Sequence, residues 1–97
     1  MKAIIVREYG GPDVLRLEDV TPLMPGDGEV LIRVRAVTVN RTRDLQIAAG
    51  APHRPDALPI VPGMDPAGEV ALAGGGVSIF KSGDRVVVFS RNPCGQC

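Results

Sequence analysis

From Glu29 to Val39 the chain reads Glu-Val-Leu-Ile-Arg-Val-Arg-Ala-Val-Thr-Val, and no other stretch limits the fold as strongly. Val30, Ile32, Val34 and Ala36 alternate with Leu31, Arg33, Arg35 and Val37. A period of two with arginines on one side is the pattern of a half-buried strand. Further strands follow from the same signals. Residues 2–7 are rich in β-branched side chains, and residues 14–19 place Arg16 and Glu18 between apolar neighbours. With Gly10-Gly11-Pro12-Asp13 as the turn, these two are expected to pair as a hairpin. Ala67 to Ala73 and Asp84 to Phe89 complete the set, and Gly74-Gly75-Gly76 is expected to make a hairpin turn. One short helix is expected through Asp44–Ala49, capped by Asn40 or Thr42 and stopped by Gly50. Residues 51–62 carry four prolines and read as an extended surface loop. The sum is one domain, residues 1–97, mainly β and mostly antiparallel: a partly open β-barrel with a short helix.

The segment Pro62-Gly63-Met64-Asp65-Pro66-Ala67-Gly68-Glu69-Val70 begins as a turn and ends in a strand. Gly63 and Gly68 admit positive φ and close backbone approach, while Pro62 and Pro66 stiffen the corner and remove amide donors. Such a segment is either a rigid connection or the lip of a cleft, where side chains are displayed on a constrained loop.

Composition narrows the function classes. Eleven basic and eleven acidic residues cancel, and only Tyr9, Phe80 and Phe89 are aromatic. A nucleic-acid binder or an anionic-membrane binder needs clustered positive charge, so neither partner is expected. No apolar run reaches the length of a signal h-region or a membrane span, and the expected location is cytoplasmic. No GxGxxG or GxxxxGK[ST] motif occurs, so no nucleotide-binding unit is expected within these residues. The one histidine, His53, sits in the proline-rich loop and reads as a surface residue. Cys94 and Cys97 have CxxC spacing, which supplies two of the four ligands of a tetrahedral zinc. A redox couple or plain thiols are the alternatives.

Three stretches together resemble a known family: the opening "EYGGPDVLRLEDVTPLMPGDGEVLIRVRAVTVN", the corner "LPIVPGMDPAGEV" and the ending "FKSGDRVVV". They are similar to the N-terminal half of the medium-chain dehydrogenase/reductase superfamily, the alcohol dehydrogenase and quinone oxidoreductase group. The resemblance implies a GroES-like β-barrel, followed in that family by a Rossmann domain that binds NAD or NADP and that these residues lack. Carried over residue by residue, it sets Asn40 where zinc alcohol dehydrogenases have a catalytic cysteine, and Met64 and Asp65 where they have a His-Glu pair. Asn and Met are poor zinc ligands in place of thiolate and imidazole, so no catalytic zinc is expected. The zinc-independent quinone oxidoreductase and enoyl-reductase branch fits better, with the Asn40 amide beside nicotinamide and substrate carbonyl, able to donate to developing negative charge. That family has an aspartate three residues after the asparagine; here Arg43 stands there and Asp44 follows it. The ending "NPCGQC" resembles the start of a structural-zinc lobe, with Cys94 and Cys97 as its first two ligands.

The resemblance therefore implies the substrate-side domain of an NAD(P)-dependent oxidoreductase acting on a small carbonyl, alcohol or enone. The resemblance implies Asn40 as the expected catalytic residue, with Asn40, Met64 and Asp65 expected to bind substrate. Such a domain is expected to be inactive alone and to self-associate through exposed apolar surface, or to belong to a homo-oligomer. The alternatives are a stand-alone, non-catalytic GroES-like binding or assembly module, and a small zinc or redox protein built on the CxxC.

Overall fold

The computed structural model describes residues 1–51, 55–89, 94 and 96. Its elements run β1 (Lys2–Val6), a 3-10 turn (Pro12–Val14), β2 (Leu15–Asp19), β3 (Val30–Val37), α1 (Arg41–Ala48), a second 3-10 turn (Pro55–Ala57), β4 (Pro66–Ala73) and β5 (Arg85–Val87). The strands form a two-stranded and a three-stranded sheet, neither of them closed, so the described residues are mainly β with one short helix. Among the described residues no helix is long and apolar enough to cross a membrane. The chain divides into two compact units.

The first unit holds Met1–Pro22 and Val39–Gly63. β1 and β2 form the expected antiparallel hairpin, with Ile4 opposite Leu17 and Val6 opposite Leu15. Pro12 opens the 3-10 turn, which takes Val14 out of the strand and into the interior. Val6, Val14 and Ala48 form the buried core, with Leu58 and Ile60 against it. Burying a valine of this kind contributes about 1.5–3 kcal/mol. Ile60 also pairs with β1, exchanging backbone hydrogen bonds with Val6 at 2.9 and 3.0 Å. That bridge ties the proline-rich surface loop to the hairpin at Ile60. On the hairpin's surface, Arg7 holds Glu18 through Nε and Nη2 at 3.0 and 2.7 Å. This hydrogen-bonded pair keeps the Glu18 carboxyl below its ordinary pKa and raises that of Arg7.

The second unit contains Leu23–Thr38 and the residues from Met64 onward. Its sheet has the order β3-β4-β5, all antiparallel. The period-two run is real but not continuous. Register shifts fall between Leu31 and Ile32 and between Val34 and Ala36, so that Arg35 is left without a partner opposite β4. β3 is accordingly shorter than the Glu29–Val39 run, and β5 is shorter than Asp84–Phe89. Val70 is the fully buried side chain of this sheet.

Gly68 lies in β4 so close to β3 that a Cβ there would collide with the Arg33 carbonyl. The triple glycine makes the expected turn, with Val77 N–H donating to Gly74 O at 3.4 Å and Gly76 at φ +75°, but the turn does not by itself join β4 to β5. Gly74 N–H donates to Glu29 O, and Gly28 N–H donates to Gly75 O, both at 2.8 Å, so these glycines prolong the β3–β4 pairing. The return toward β5 is made by the Lys81–Asp84 turn: Gly83 N–H donates to Val70 O and Val70 N–H to Asp84 O. Large apolar side chains remain exposed, Ile79 and Val87 at 81% and Phe89 at 78%.

Gly68→Ala is expected to lower the unfolding free energy by about 1–3 kcal/mol, because the new methyl meets a backbone carbonyl that cannot rotate away. Chemical denaturation monitored by circular dichroism measures the change, and an unaltered midpoint would show that the strands separate freely there.

Candidate functional site

Asn40 is the N-cap of α1, as one of the two expected capping choices required. Its extended backbone ends the strand direction, and its side-chain Oδ1 accepts the Arg43 N–H at 2.9 Å. Asp44 answers from the first turn: its Oδ2 accepts the Asn40 N–H, also at 2.9 Å. Two otherwise unmet helix donors are thereby satisfied by two side chains, in the manner of a capping box shifted by one residue. The helix consequently starts at Arg41, the position that an Asn40 cap implies. At the other end Gly50, at φ +83°, carries the chain past Ala49, with the Tyr9 ring beside its α-carbon.

The cap fixes more than the helix. A backbone N–H can only face an acceptor, so the amide oxygen of Asn40 is turned inward and its NH2 is directed the other way. Asn40 thus presents a donor whose orientation is set by a hydrogen bond on the opposite side of the same amide. Asp44 adds an acceptor of unusual character. Its Oδ1 is buried without a hydrogen-bond partner among the described residues, a condition that native polar groups rarely tolerate without a ligand or ordered water.

Met64 and Asp65 belong to the second unit and are described there. Gly63 enters the corner at φ +119°, the left-handed region that glycine alone takes without strain. Met64 follows half-buried, and Asp65 is exposed. The Thr38 hydroxyl donates to Asp65 Oδ2 at 3.0 Å, which fastens the corner to the residue just past β3. Pro66 then opens β4 as its first residue, opposite Val37, where its missing N–H costs no ladder bond and its carbonyl accepts from Val88 N–H. The two glycines therefore do what the sequence required of them, and Pro66 begins the β4 ladder opposite Val37.

The three side chains are described one by one, Asn40 in the first unit and Met64 and Asp65 in the second. Asn40 Oδ1 is committed to the helix cap, Met64 offers a thioether, and Asp65 holds a hydroxyl. None of the three supplies thiolate or imidazole. Among the described residues no group of three or more His, Cys, Asp or Glu side chains could hold a metal ion. Cys94 is exposed, while Cys97 and His53 lie outside the described residues.

Sequence reasoning missed Thr38 and the role of Asp44. Asp44 was legible in principle, as a carboxylate four residues after an Asn at a strand end. The Thr38–Asp65 bond spans 27 positions and had no local signal.

Residues 26–97 match the family model of the alcohol dehydrogenase GroES-like domain. The chain belongs to that family. Within the GroES-like family it is similar to the quinone oxidoreductase of Rattus norvegicus, with 48% identity over 91 residues, 93% of this chain and 27% of that protein. It is also similar to the crystal structure of Escherichia coli quinone oxidoreductase complexed with NADPH, at 34% identity and a TM-score of 0.85, covering 95% of this chain and 28% of that one. A cobalt- and zinc-bound thermostable alcohol dehydrogenase from Pyrobaculum aerophilum matches at 40% identity and a TM-score of 0.90, covering 100% of this chain and 29% of that one. The chain thus spans a little over a quarter of the length of these relatives.

Asn40→Ala is expected to cost about 1 kcal/mol of stability, and Asn40→Ser to restore most of it, since a hydroxyl can still cap. Urea unfolding of the three forms tests this. Equal midpoints for Ala and Ser would mean that the cap bond carries no weight.

Proposed function

We propose that these residues form the substrate-side domain of an NAD(P)-dependent oxidoreductase that transfers hydride to or from a carbonyl or an activated alkene. The observation that carries the proposal is the 48% identity to a quinone oxidoreductase across 93% of the chain. The NADPH-bound E. coli relative supports the nicotinamide. The coenzyme, NAD or NADP, would be held by a Rossmann domain outside residues 1–97, so the chain alone would not turn over substrate.

A bound nicotinamide supplies or accepts the hydride. In this proposal Asn40 contributes the donor. As hydride reaches a carbonyl carbon or a conjugated alkene, negative charge develops on oxygen, and an N–H already aimed at that position stabilises it without reorganisation. Asn40 has this preparation because its Oδ1 is held by the Arg43 N–H. Met64 and Asp65 line the substrate side; the thioether adapts to an apolar body, and the Thr38 bond holds the carboxylate.

The proposed enzyme works without a catalytic zinc, on the strength of the amide, thioether and carboxylate at the three positions where the metal-dependent branch has its ligands. Cys94 and Cys97 would begin a structural-zinc site completed by residues beyond this chain. Exposed side chains such as Ile79, Val87 and Phe89 make self-association, or membership of a homo-oligomer, part of the same proposal.

The deciding measurement is NAD(P)H oxidation with quinone and enone acceptors by the longer natural polypeptide and by residues 1–97 alone. Turnover is expected only from the former. Asn40→Ser, which keeps the cap but removes the amide donor, is expected to lower kcat about 100- to 1,000-fold. Full activity in that variant, or turnover by residues 1–97, would refute the assignment. Metal analysis of the longer polypeptide is expected to find one zinc per subunit, and two would contradict the loss of the catalytic site.

A further inference from the structure

Apart from the hydride-transfer site, the second unit carries a cavity of about 420 Å³ on its three-stranded sheet, lined by Arg35, Ala67, Gly68, Glu69, Arg85, Val86 and Val87. We propose that this cavity binds a small carboxylate with a short apolar tail, its head held between Arg35 and Arg85 and its tail on Ala67 and Val87.

The charge balance is the first reason. Glu69 sits in the middle strand, opposite Arg33 on β3 and opposite Arg85 on β5. Directly opposed residues on neighbouring strands project from the same face, so two guanidiniums flank one carboxylate along a single rung. Arg35 is a third, reaching Glu69 with Nη2 to Oε2 at 3.4 Å. Arg35 and Arg85 share the cavity with Glu69, whereas Arg33 does not line it, and among the described residues only Arg35 forms an ion pair with Glu69. The one ion pair formed there is long and exposed, which leaves guanidinium donors to be used by a second anion.

The lining is the second reason. Val87 is 81% exposed although it is a strand residue of a sheet, and Ala67 lies directly opposite it. Ala67, Glu69, Arg85 and Val87 share one face by strand alternation, with the apolar pair one step along from the charged pair. Phosphate alone would leave those methyl groups in water. A monocarboxylate of four to six carbons, by contrast, would cover them while its oxygens meet the guanidiniums. The register shift at Arg35 contributes as well. A residue without a partner in the ladder is free to direct its side chain over the adjacent rung, toward Glu69.

Glu69 is then the internal competitor of the ligand, and this gives the proposal its sharpest consequence. Removing the carboxylate should strengthen binding, whereas removing either arginine should weaken it. A merely structural role for the cluster predicts no such opposition of signs.

The test titrates sodium hexanoate, acetate and inorganic phosphate separately into the 15N-labelled full chain at low ionic strength, following the amides of Gly68, Arg85, Val86 and Val87 by NMR. Saturable shifts with hexanoate are expected, with binding about threefold or more tighter than for acetate. Arg35→Gln and Arg85→Gln, both surface changes, are expected to weaken hexanoate binding about three- to tenfold each, and Glu69→Gln to tighten it about threefold. Added salt should weaken all of it. The proposal fails if hexanoate produces no saturable shift in the unmodified chain, or if phosphate binds as tightly as hexanoate. It fails equally if the arginine variants bind hexanoate unchanged, or if Glu69→Gln binds no better.

Discussion

The closeness of β3 and β4 is the constraint on which the second unit rests. A glycine at 68 lets the Arg33 carbonyl approach the α-carbon of the facing strand, and no side chain fits between them. The same pair of strands is extended at its far end by Gly74 and Gly75, which bond to the loop before β3. Between these points lies Val70, fully buried. At the near end Pro66 starts β4 immediately after Asp65, so the position of that carboxylate follows from the ladder. Any displacement of β4 along β3 would carry Met64 and Asp65 with it.

In the first unit the corresponding role falls to the helix start. Asn40 and Asp44 satisfy each other's neighbouring backbone, and Ala48, one turn further on, enters the core beside Val6 and Val14. The Ala48 carbonyl also accepts from Gly10 N–H, which joins the helix end to the hairpin. Capping, packing and the orientation of the Asn40 amide are therefore one mechanical arrangement. The same asparagine that starts the helix supplies the group on which the proposed chemistry depends.

Strands and the helix were legible in the sequence where the signal was local. Alternation at 30–37, the β-branched run at 2–6 and an Asn followed by Gly50 gave elements of the right kind within a few residues. Which of the two caps is used was not legible, because an N-cap is chosen by a side chain that can bond back to the third residue, and both Asn40 and Thr42 offer one. The triple glycine makes the turn its sequence suggests, but its close approach to the loop before β3 was not legible, because tight turns and close strand contact both call for the absence of a Cβ. The breaks in the β3–β4 register left no trace in the sequence either, since a run of alternating residues reads the same whether or not its partner skips one. Family likeness supplied what local physics could not: the choice of Asn40, Met64 and Asp65 from among many polar and flexible residues.

The unmatched position at Arg35 has a consequence for how this surface can change over time. Residues in strict register are held by what faces them, so a substitution is filtered through its neighbour across the ladder. Arg35 escapes that filter. Its side chain can be exchanged for one of another length or sign while every interstrand bond stays where it is. The charge at this position is therefore held by what Arg35 reaches, the Glu69 carboxylate and the proposed ligand, and not by the strand ladder.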